Sequence, residues 1–294
     1  MKSMFKFAKN PISRMRDWAI RPLFELQRDI LQSQQSQHDF LMRAQWEMST
    51  SGARNPLNRF GPKYFSQTDE DGITLEIVRR IGIKDGTFPE LGVGDGLENN
   101  TLILLASGWR GFWIGTQDLC FDHRLNPKRF AFIKAWVSLE NVTHLVQQGF
   151  EHIPANELDV LSLDLDGNDF YFAQELLKSG IFSKLLILEY NAKFPPPVKW
   201  KIKYDERHSW DGTDYFGASL QSFSELLSGF SYTLVCCNAA TGANAFFVRD
   251  RYISNFSDIP KTIEDIFVGC RYQFYRRWGH RPSAKTVERM LLGD

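Results

Sequence analysis

Two aspartates at the end of a buried run are the residues best placed to do chemistry. Residues 158–165 form an apolar run that predicts a buried strand, and Asp164 and Asp166 stand at its end. Side chains alternate along a strand, so both carboxylates are expected on one face at its carboxyl end. Charge in such a place is costly unless it is used. Asp164 and Asp166 are therefore candidate catalytic residues.

A glycine-rich turn forms the second candidate site. Residues 88–93 predict a short buried strand, Gly92, Gly94 and Gly96 a turn, and residues 97–107 an apolar-striped helix that ends at Gly108. Glycine lets the backbone adopt positive φ and lets a ligand lie against bare main chain. A strand, a glycine turn and a helix N-terminus together make a concave polar site at the carboxyl end of a parallel sheet.

The residues of this turn indicate which ligand it suits. A dinucleotide-binding turn needs glycine where this chain has Leu97, and a phosphate-binding loop ends in Gly-Lys-Ser/Thr, whereas this loop continues Asp95-Gly96-Leu97-Glu98. Acidic residues at a helix N-terminus repel phosphate and suit a cationic or hydroxyl-rich ligand. A turn that binds no ligand is the alternative.

The elements that must position these residues follow an α/β pattern. Buried strands are predicted at 88–93, 112–114, 130–137, 158–165 and 185–188, and a helix at 219–227 precedes strands at 232–236 and 244–249. A further helix is predicted after the segment 66–72, with Ser66 or Thr68 as its N-cap. Consecutive strands after a helix indicate an antiparallel pair at one side of a mostly parallel sheet.

Three segments carry a family resemblance. Glu90-x-Gly92-x-Gly94-x-Gly96 resembles motif I of the class I S-adenosylmethionine-dependent methyltransferases, in which the turn cradles the methionine part of the cofactor. SQTDEDG at 66–72, ELGVGDGLENNT at 90–101 and GWRGFWI at 108–114 are similar to the FkbM-like branch of that family and its uncharacterised bacterial relatives. The resemblance implies a Rossmann-like sheet with an antiparallel C-terminal strand pair, and methyl transfer to a hydroxyl of a saccharide or other small metabolite.

The resemblance also implies a set of cofactor-binding residues in the segment 66–72 and on four of the predicted strands or the loops that follow them. They are Gln67, Asp71, Glu90, Gly92, Gly94, Asp95, Gly96, Asn100, Asp118, Asn141 and Asp164. Asn141 has a second interpretation, because it could equally cap the helix that follows it.

One position departs from the family pattern. Class I methyltransferases usually end the second strand with an acid that binds the two ribose hydroxyls, whereas this chain has Gly115 there, followed by Thr116, Gln117 and Asp118. Either Asp118 reaches back to the ribose, or cofactor affinity is weakened or lost. The second outcome would make the chain a degenerate methyltransferase-fold protein for binding or assembly.

Two interpretations of the acidic cluster stay open. In the family interpretation Asp164 lies near the reactive methyl group, and Asp166, Asn168 and Asp169 place the acceptor. In the metal interpretation Asp164 and Asp166 join Glu189, which ends the next predicted strand, as oxygen ligands for Mg²⁺. The sequence does not choose between them.

Residues 193–217 predict a long loop, typical of a lid or a binding loop. Its aromatic residues, Trp210 and Tyr215 among them, suit stacking on sugar rings, and they suit anchoring the loop to the core equally well. Together with Asn168, Asp169, Glu189 and Asn191 they are candidate substrate-binding residues. His208 is a candidate general base because of its titration range, although a lone loop histidine is more often incidental.

Composition bounds the remaining possibilities. The 294 residues are expected to form a helical N-terminal extension at 1–60, a methyltransferase-like domain at 61–250 and a basic, aromatic C-terminal extension at 251–294. No apolar run approaches the roughly 20 residues of a membrane span, no secretory signal stands at the start, and the cysteines lack metal-type spacing. These features predict a soluble protein of the cytoplasm.

Charge is unevenly distributed along the chain. Residues 1–60 carry 10 basic and 5 acidic side chains, residues 61–270 carry 19 and 28, and residues 271–294 carry 6 and 2. The acidic centre argues against a nucleic-acid partner. The apolar residues at helical spacing in the N-terminal extension predict an amphipathic helix, for which pairing into a homo-oligomer is one role and covering the domain another.

Overall fold

The computed structural model describes residues 11–155, 157–211, 213–271 and 284–292. The chain divides into two units, Met1–Glu47 and Met48–Asp294. A single long helix, α1 (Pro11–Ser51), accounts for the described part of the first unit. The second unit holds the sheet. No helix among the described residues has the length and apolar character needed to cross a membrane.

The second unit is built on a seven-stranded sheet in the order β3-β2-β1-β4-β5-β7-β6. Its strands are β1 (Thr87–Leu91), β2 (Arg110–Gly115), β3 (Phe130–Lys134), β4 (Leu158–Leu163), β5 (Ser183–Glu189), β6 (Tyr232–Cys237) and β7 (Asn244–Arg249). The first five run parallel, and β7 pairs antiparallel with both β5 and β6. The predicted Rossmann-like sheet with its antiparallel C-terminal pair is confirmed.

Helices cover the sheet, and a separate apolar core lies on each face. They are α2 (Glu70–Ile81), α3 (Leu102–Ala106), α4 (Val142–His152), α5 (Asp169–Lys178), α6 (Leu220–Ser228), α7 (Ile263–Ile266) and α8 (Ala284–Leu292). One core includes Leu91 and Cys237, and the other includes Phe88 and Cys236. The adjacent cysteines therefore face opposite sides of β6, as the period of a strand requires.

The C-terminal extension packs on the domain where the structure describes it. Val287 and Leu291 of α8 are buried, and Asn126 donates to the Leu291 carbonyl at 2.8 Å. Residues 272–283, which carry most of the aromatic residues predicted for this tail, lie outside the described residues.

The helix predicted from Leu97 begins later, at Leu102, and this part of the prediction was wrong. The Glu90 carboxylate accepts the backbone N–H groups of Asn100 and Thr101, each at 3.0 Å, and so fixes the start of α3 there. The predicted stop is correct. Gly108 has φ +95°, and its neighbour Trp109 donates to the Leu104 carbonyl, which closes the helix end.

The N-cap of α2 is Asp69, not Ser66 or Thr68 as predicted. Its side chain is buried and accepts the backbone N–H groups of Ala239 at 2.7 Å and Ala240 at 3.0 Å, in the turn after β6. This carboxylate therefore ties the start of α2 to the β6–β7 hairpin. Burial, followed by the neighbouring Glu70 carboxylate, raises the pKa of Asp69 to about 7.

We expect Asp69 to make the fold less stable as the pH rises. An acid with a raised pKa in the folded state holds its proton where the unfolded chain has released it, so stability falls between pH 3.8 and about 7. The slope for one proton is about 1.4 kcal/mol per pH unit. Urea unfolding of Asp69→Asn across this window should lack that slope.

The Asn variant will also lose one of the hydrogen bonds to the hairpin, which offsets its stability by a constant amount. The test is therefore the change with pH, not the value at any one pH. Parallel curves for the variant and the native chain would contradict the prediction.

Candidate active site

The candidate site lies where β1, β4 and β5 end side by side. These three strands are neighbours in the sheet. The glycine turn (residues 92–96) after β1, the aspartate loop (residues 164–169) after β4 and Glu189 at the end of β5 therefore meet at one edge. The Asp164 N–H donates to the Leu91 carbonyl at 3.0 Å, which extends the β1–β4 pairing into the loops. This is the edge at which open parallel sheets bind ligands.

Gly92 and Gly94 have different roles in the turn. Gly92 has φ +94°, and a Cβ placed there would stand 1.7 Å from the Asp164 carbonyl oxygen, so only glycine fits. Gly94 has no such need, because no heavy atom beyond its chain neighbours lies within 4 Å of a Cβ built on it. Gly92 therefore joins the two strand ends, and Gly94 borders open space.

Glu90 is buried and its two carboxylate oxygens are occupied by the chain itself. Besides the N–H groups of Asn100 and Thr101, it accepts the Thr101 hydroxyl at 2.5 Å, and the Trp113 indole donates to that hydroxyl. Burial raises the pKa of Glu90. Glu90 thus fixes the loop between the turn and α3 through its hydrogen bonds.

A buried polar network connects this loop to α2 and the hairpin. The Asn100 amide donates to the Ser162 hydroxyl at 3.2 Å, and the Asn244 amide donates to Glu70 at 3.3 Å. Asn100 and Asn244 contact each other at 3.5 Å. Of these four residues, only Asn100 is among the predicted cofactor-binding residues. Glu70 lay within the 66–72 segment, but nothing in the sequence linked it to Asn244.

The aspartate loop has an unusual backbone conformation, which hydrogen bonds to Asp169 of the same loop hold in place. Asp166 has φ +56°, a region that non-glycine residues seldom adopt and that is enriched at functional sites. Asp169 is buried and accepts the N–H groups of Leu165 at 2.7 Å and Gly167 at 3.0 Å. Burial raises the pKa of Asp169 to about 6. Asp169 therefore shapes the loop, and its proposed acceptor contact stays a prediction.

The structure brings the predicted acidic cluster together. Asp164, Asp166 and Glu189 each offer one carboxylate oxygen, and these oxygens all lie within 4.8 Å of one another. Burial raises the pKa of Asp164 well above its ordinary value, and the carboxylates of Asp166, Asp169, Glu90 and Glu70 raise it further. These neighbouring carboxylates favour the protonated form of Asp164 unless a cation lies among them, so the cluster suits a cationic ligand and disfavours a phosphate.

His208 lies over the aspartate loop. A Cβ on Gly167 would stand 2.2 Å from the imidazole Cδ2, so the ring packs directly on that glycine. Its Nε2 is buried and has no hydrogen-bond partner within the described ranges. The structure thus places the predicted general base against Gly167, which sequence spacing could not show.

Asn168 holds the segment that carries His208. Its amide donates to the Asp205 carbonyl at 2.8 Å, and the same carbonyl accepts the His208 N–H at 2.9 Å. The predicted substrate-binding role of Asn168 is untested by these contacts, because they involve only the chain.

The predicted lid, residues 193–217, is fastened at its base and exposed at its tip. Asn191 is buried and donates to the carbonyls of Asp214 at 2.8 Å and Phe216 at 3.0 Å. Trp210 and Tyr215 are 44% and 50% exposed, and Tyr215 lies edge-on to His208 with ring centroids 6.1 Å apart. Both rings therefore leave part of their surface accessible, and that of Tyr215 lies near the candidate base.

Asp118 does not face the glycine turn in this structure. Its side chain is 86% exposed and its carboxylate is 2.6 Å from the Lys134 ammonium. Gly115 has a packing reason, since a Cβ there would stand 2.4 Å from the Val93 carbonyl oxygen. An acid at position 115 is therefore excluded by the turn itself.

Three further residues predicted to bind the cofactor, Asp71, Asp95 and Asn141, accept hydrogen bonds from the backbone. Asp71 is buried and accepts the N–H groups of residues 64–66 at 2.6–2.9 Å, and burial raises its pKa to about 6. Gln67 is exposed. Asp95 accepts the Leu97 N–H at 3.1 Å. Asn141 accepts the Ser138 N–H at 2.8 Å and makes no side-chain cap to α4, although it stands at the N-cap position.

No model of a known protein family matches the chain, and no curated protein matches it. Among solved structures it is similar to the MycE methyltransferase from the mycinamycin biosynthetic pathway, in complex with Mg, SAH and mycinamycin VI. That similarity has 12% identity and a TM-score of 0.33 over 61% of this chain and 46% of that one. The chain thus matches less than half of the length of MycE.

Two further solved structures are smaller than MycE and are covered more fully. An O-methyltransferase from Bacillus cereus in complex with SAH is 15% identical over 64% of this chain and 83% of that one, with a TM-score of 0.34. The glycopeptide N-methyltransferase MtfA is 14% identical over 62% of this chain and 90% of that one, with a TM-score of 0.33. These structural neighbours are methyltransferases that act on different atoms, and the likeness is one of fold.

We expect Gly115→Asp to destabilise the domain by about 2 kcal/mol, because the added side chain must displace the Val93 backbone. Thr116→Asp is the matched control, since it adds the same charge at the exposed neighbouring position. Urea unfolding measures both. Equal stability of the two variants would show that the turn can yield at position 115.

Proposed function

We propose that this chain is an S-adenosylmethionine-dependent methyltransferase of the FkbM-like type. The observation that carries the proposal is a glycine turn with open space at Gly94, together with the buried Glu90 and the half-buried Asp164 at the ends of β1 and β4. The methionine part of the cofactor carries a sulfonium, an ammonium and a carboxylate group, so its net charge is positive. An acid-lined glycine turn offers main-chain contact and opposite charge to such a ligand.

The residues present fit the cofactor. The turn of residues 92–96 would hold its methionine part, and the positive charge of the cofactor would favour the ionised forms of the neighbouring Glu90 and Asp164, whose pKa values are raised in the chain alone. When bound, S-adenosylmethionine supplies an activated methyl group on a good leaving group. The protein's own contribution is then to position the acceptor and to exclude water.

His208 would take the proton of the acceptor hydroxyl. Its Nε2 has no hydrogen-bond partner in the described part of the chain, and it would accept the proton once a shift of the loop exposes this buried atom to the acceptor. The backbone of Asp205 and the amide of Asn168 hold the histidine segment in place. The expected reaction is O-methylation.

The acceptor that we propose is a saccharide or another small hydroxyl-bearing metabolite. Trp210 and Tyr215 expose aromatic rings on the lid, and such rings stack on the apolar faces of sugars. Asp166 offers an exposed carboxylate in the acidic cluster that could accept hydrogen bonds from hydroxyl groups.

A magnesium ion fits the same site. Asp164, Asp166 and Glu189 supply oxygen ligands, which are those that Mg²⁺ prefers. There the ion would neutralise the cluster and polarise an acceptor hydroxyl. Whether the acids act through a metal or directly is decided by measuring cofactor binding with and without Mg²⁺.

A second candidate function is supported by one observation. Asp118, the residue that could replace the missing ribose-binding acid, is exposed and paired with Lys134. If nothing else binds the ribose, the fold would serve as a binding or assembly module with little cofactor affinity.

We expect S-adenosylmethionine and S-adenosylhomocysteine to bind the native chain with micromolar affinity in calorimetric titration, and Gly94→Val to abolish that binding. The new side chain would occupy the open space without meeting the protein, so the variant should unfold in urea at the native midpoint. This separates loss of binding from loss of fold.

Gly229→Ala is the matched control, because it alters an exposed glycine at the end of α6 and should leave cofactor affinity unchanged. Absence of binding by the native chain, with or without Mg²⁺, would reject the enzyme and favour the binding module. Binding that survives in Gly94→Val would move the cofactor away from this turn.

We expect His208→Ala to reduce turnover by about 100-fold or more while it leaves cofactor affinity within about twofold, because general base catalysis acts on the acceptor. Formation of S-adenosylhomocysteine with a panel of saccharide acceptors measures turnover. His144→Ala, at an exposed histidine of α4, is the control. Equal turnover in the two variants would remove His208 from the mechanism.

A further inference from the structure

The long helix α1 exposes large apolar side chains along its length. Leu23, Leu26, Ile30, Phe40, Leu41 and Met48 are between 48% and 71% exposed. An isolated helix gains little stability from its own backbone in water, and helices in proteins are stabilised mainly by packing an apolar face. This face of α1 therefore requires a partner.

The sequence of α1 has the spacing of a coiled coil. Between residues 23 and 48 the alternating steps of four and three residues pass through Leu23, Ile30, Leu41, Ala44 and Met48. The same series passes through Gln27, Gln34 and Gln37. None of these eight positions, which together we call the seam, is charged.

The charged residues of this segment lie away from that seam. Glu25, Arg28, Asp29, Asp39 and Arg43 occupy outer heptad positions. Glu47 flanks the seam, and it is paired along its own helix with Arg43 at 3.0 Å. A seam that excludes charge over nearly four heptads is typical of a helix that packs against another helix.

We propose that α1 joins two copies of this chain as a parallel, in-register coiled coil over residues 23–48. The three glutamines favour this occupant over others. In a parallel pair each seam residue faces its own copy, so every glutamine meets a glutamine, which can both donate and accept a hydrogen bond. An antiparallel pair with the central glutamines opposed would set Gln27 against Ala44 and leave that amide unpaired.

The flanking positions agree with a parallel pair. In that arrangement Leu26 of one copy faces Leu31 of the other, and Ser33 faces His38. Phe40 faces Gln45. No like charges meet across the seam, and the flanking apolar side chains widen the buried surface. The seam is about 39 Å long, at 1.5 Å per residue.

A lipid surface is a poorer occupant of this face. Helices that lie on membranes combine an uninterrupted apolar face with a polar face rich in Lys and Arg. Here glutamines interrupt the apolar face, and residues 21–47 carry three arginines against four acidic residues. The dimer proposal does not depend on the proposed methyltransferase function.

Sedimentation equilibrium of the full chain tests the proposal. We expect a dimer at micromolar concentration, a monomer for the double variant Ile30→Lys with Leu41→Lys, and a dimer for Gln32→Lys, which adds charge at an outer position. A native monomer would overturn the proposal, as would a dimer that survives the double variant. Cosedimentation of a monomeric chain with phosphatidylcholine–phosphatidylserine vesicles would assign the face to lipid.

Orientation is tested by Gln27→Cys in a chain whose exposed Cys120 and Cys270 are replaced by serine. A parallel pair brings the two new thiols together, so oxidation should give a covalent dimer. A dimer that fails to cross-link at position 27 would overturn the parallel register. Calorimetry of the double variant with S-adenosylmethionine keeps the two proposals apart, since its affinity should equal that of the native chain.

Discussion

The site depends on the close approach of two backbones at Gly92. A Cβ on this residue would stand 1.7 Å from the Asp164 carbonyl oxygen, so the ends of β1 and β4 can meet only if the side chain is absent. That meeting brings the glycine turn of one strand against the aspartate loop of the other. The order of the sheet then adds Glu189 of β5 to the same edge. One glycine thus determines that the candidate binding turn and the candidate acidic cluster form a single site.

The acidic residues around the contact between Gly92 and Asp164 divide into two groups. Some accept hydrogen bonds from the backbone, and others have carboxylate oxygens that a ligand could contact. Glu90 and Asp169 each accept two backbone N–H groups, so their oxygens fix the loops on either side of the contact. Asp164, Asp166 and Glu189 are drawn together by those loops. The structural acids nevertheless add to the field, since Asp169 and Glu90 both raise the pKa of Asp164. The same residues that shape the site therefore favour the protonated form of Asp164, unless a bound cation offsets their charge.

The sequence predicts most of this fold because apolar runs of strand length mark the sheet without reference to distant contacts. It also predicts that Asp164, Asp166 and Glu189 lie close together, because neighbouring parallel strands end at one edge of the sheet. It fails where a distant side chain decides the outcome. Glu90 delays α3 to Leu102, and Glu70 pairs with Asn244, 174 residues away. Neither contact has a local signature, since a buried acid and a loop asparagine show no spacing that relates them.

The placement of His208 shows how a site can depend on a tertiary contact that no motif records. The histidine lies 41 residues beyond Gly167 in the chain, yet its ring packs on that glycine. This packing is possible only because Gly167 has no side chain, since a Cβ there would collide with the ring. Asn168, the next residue, fixes the Asp205 turn from which His208 projects. The loop that carries Asp166 therefore also positions the candidate base, and both groups move together if that loop moves. A side chain at position 167 would therefore displace the candidate base, so this one glycine decides where His208 lies.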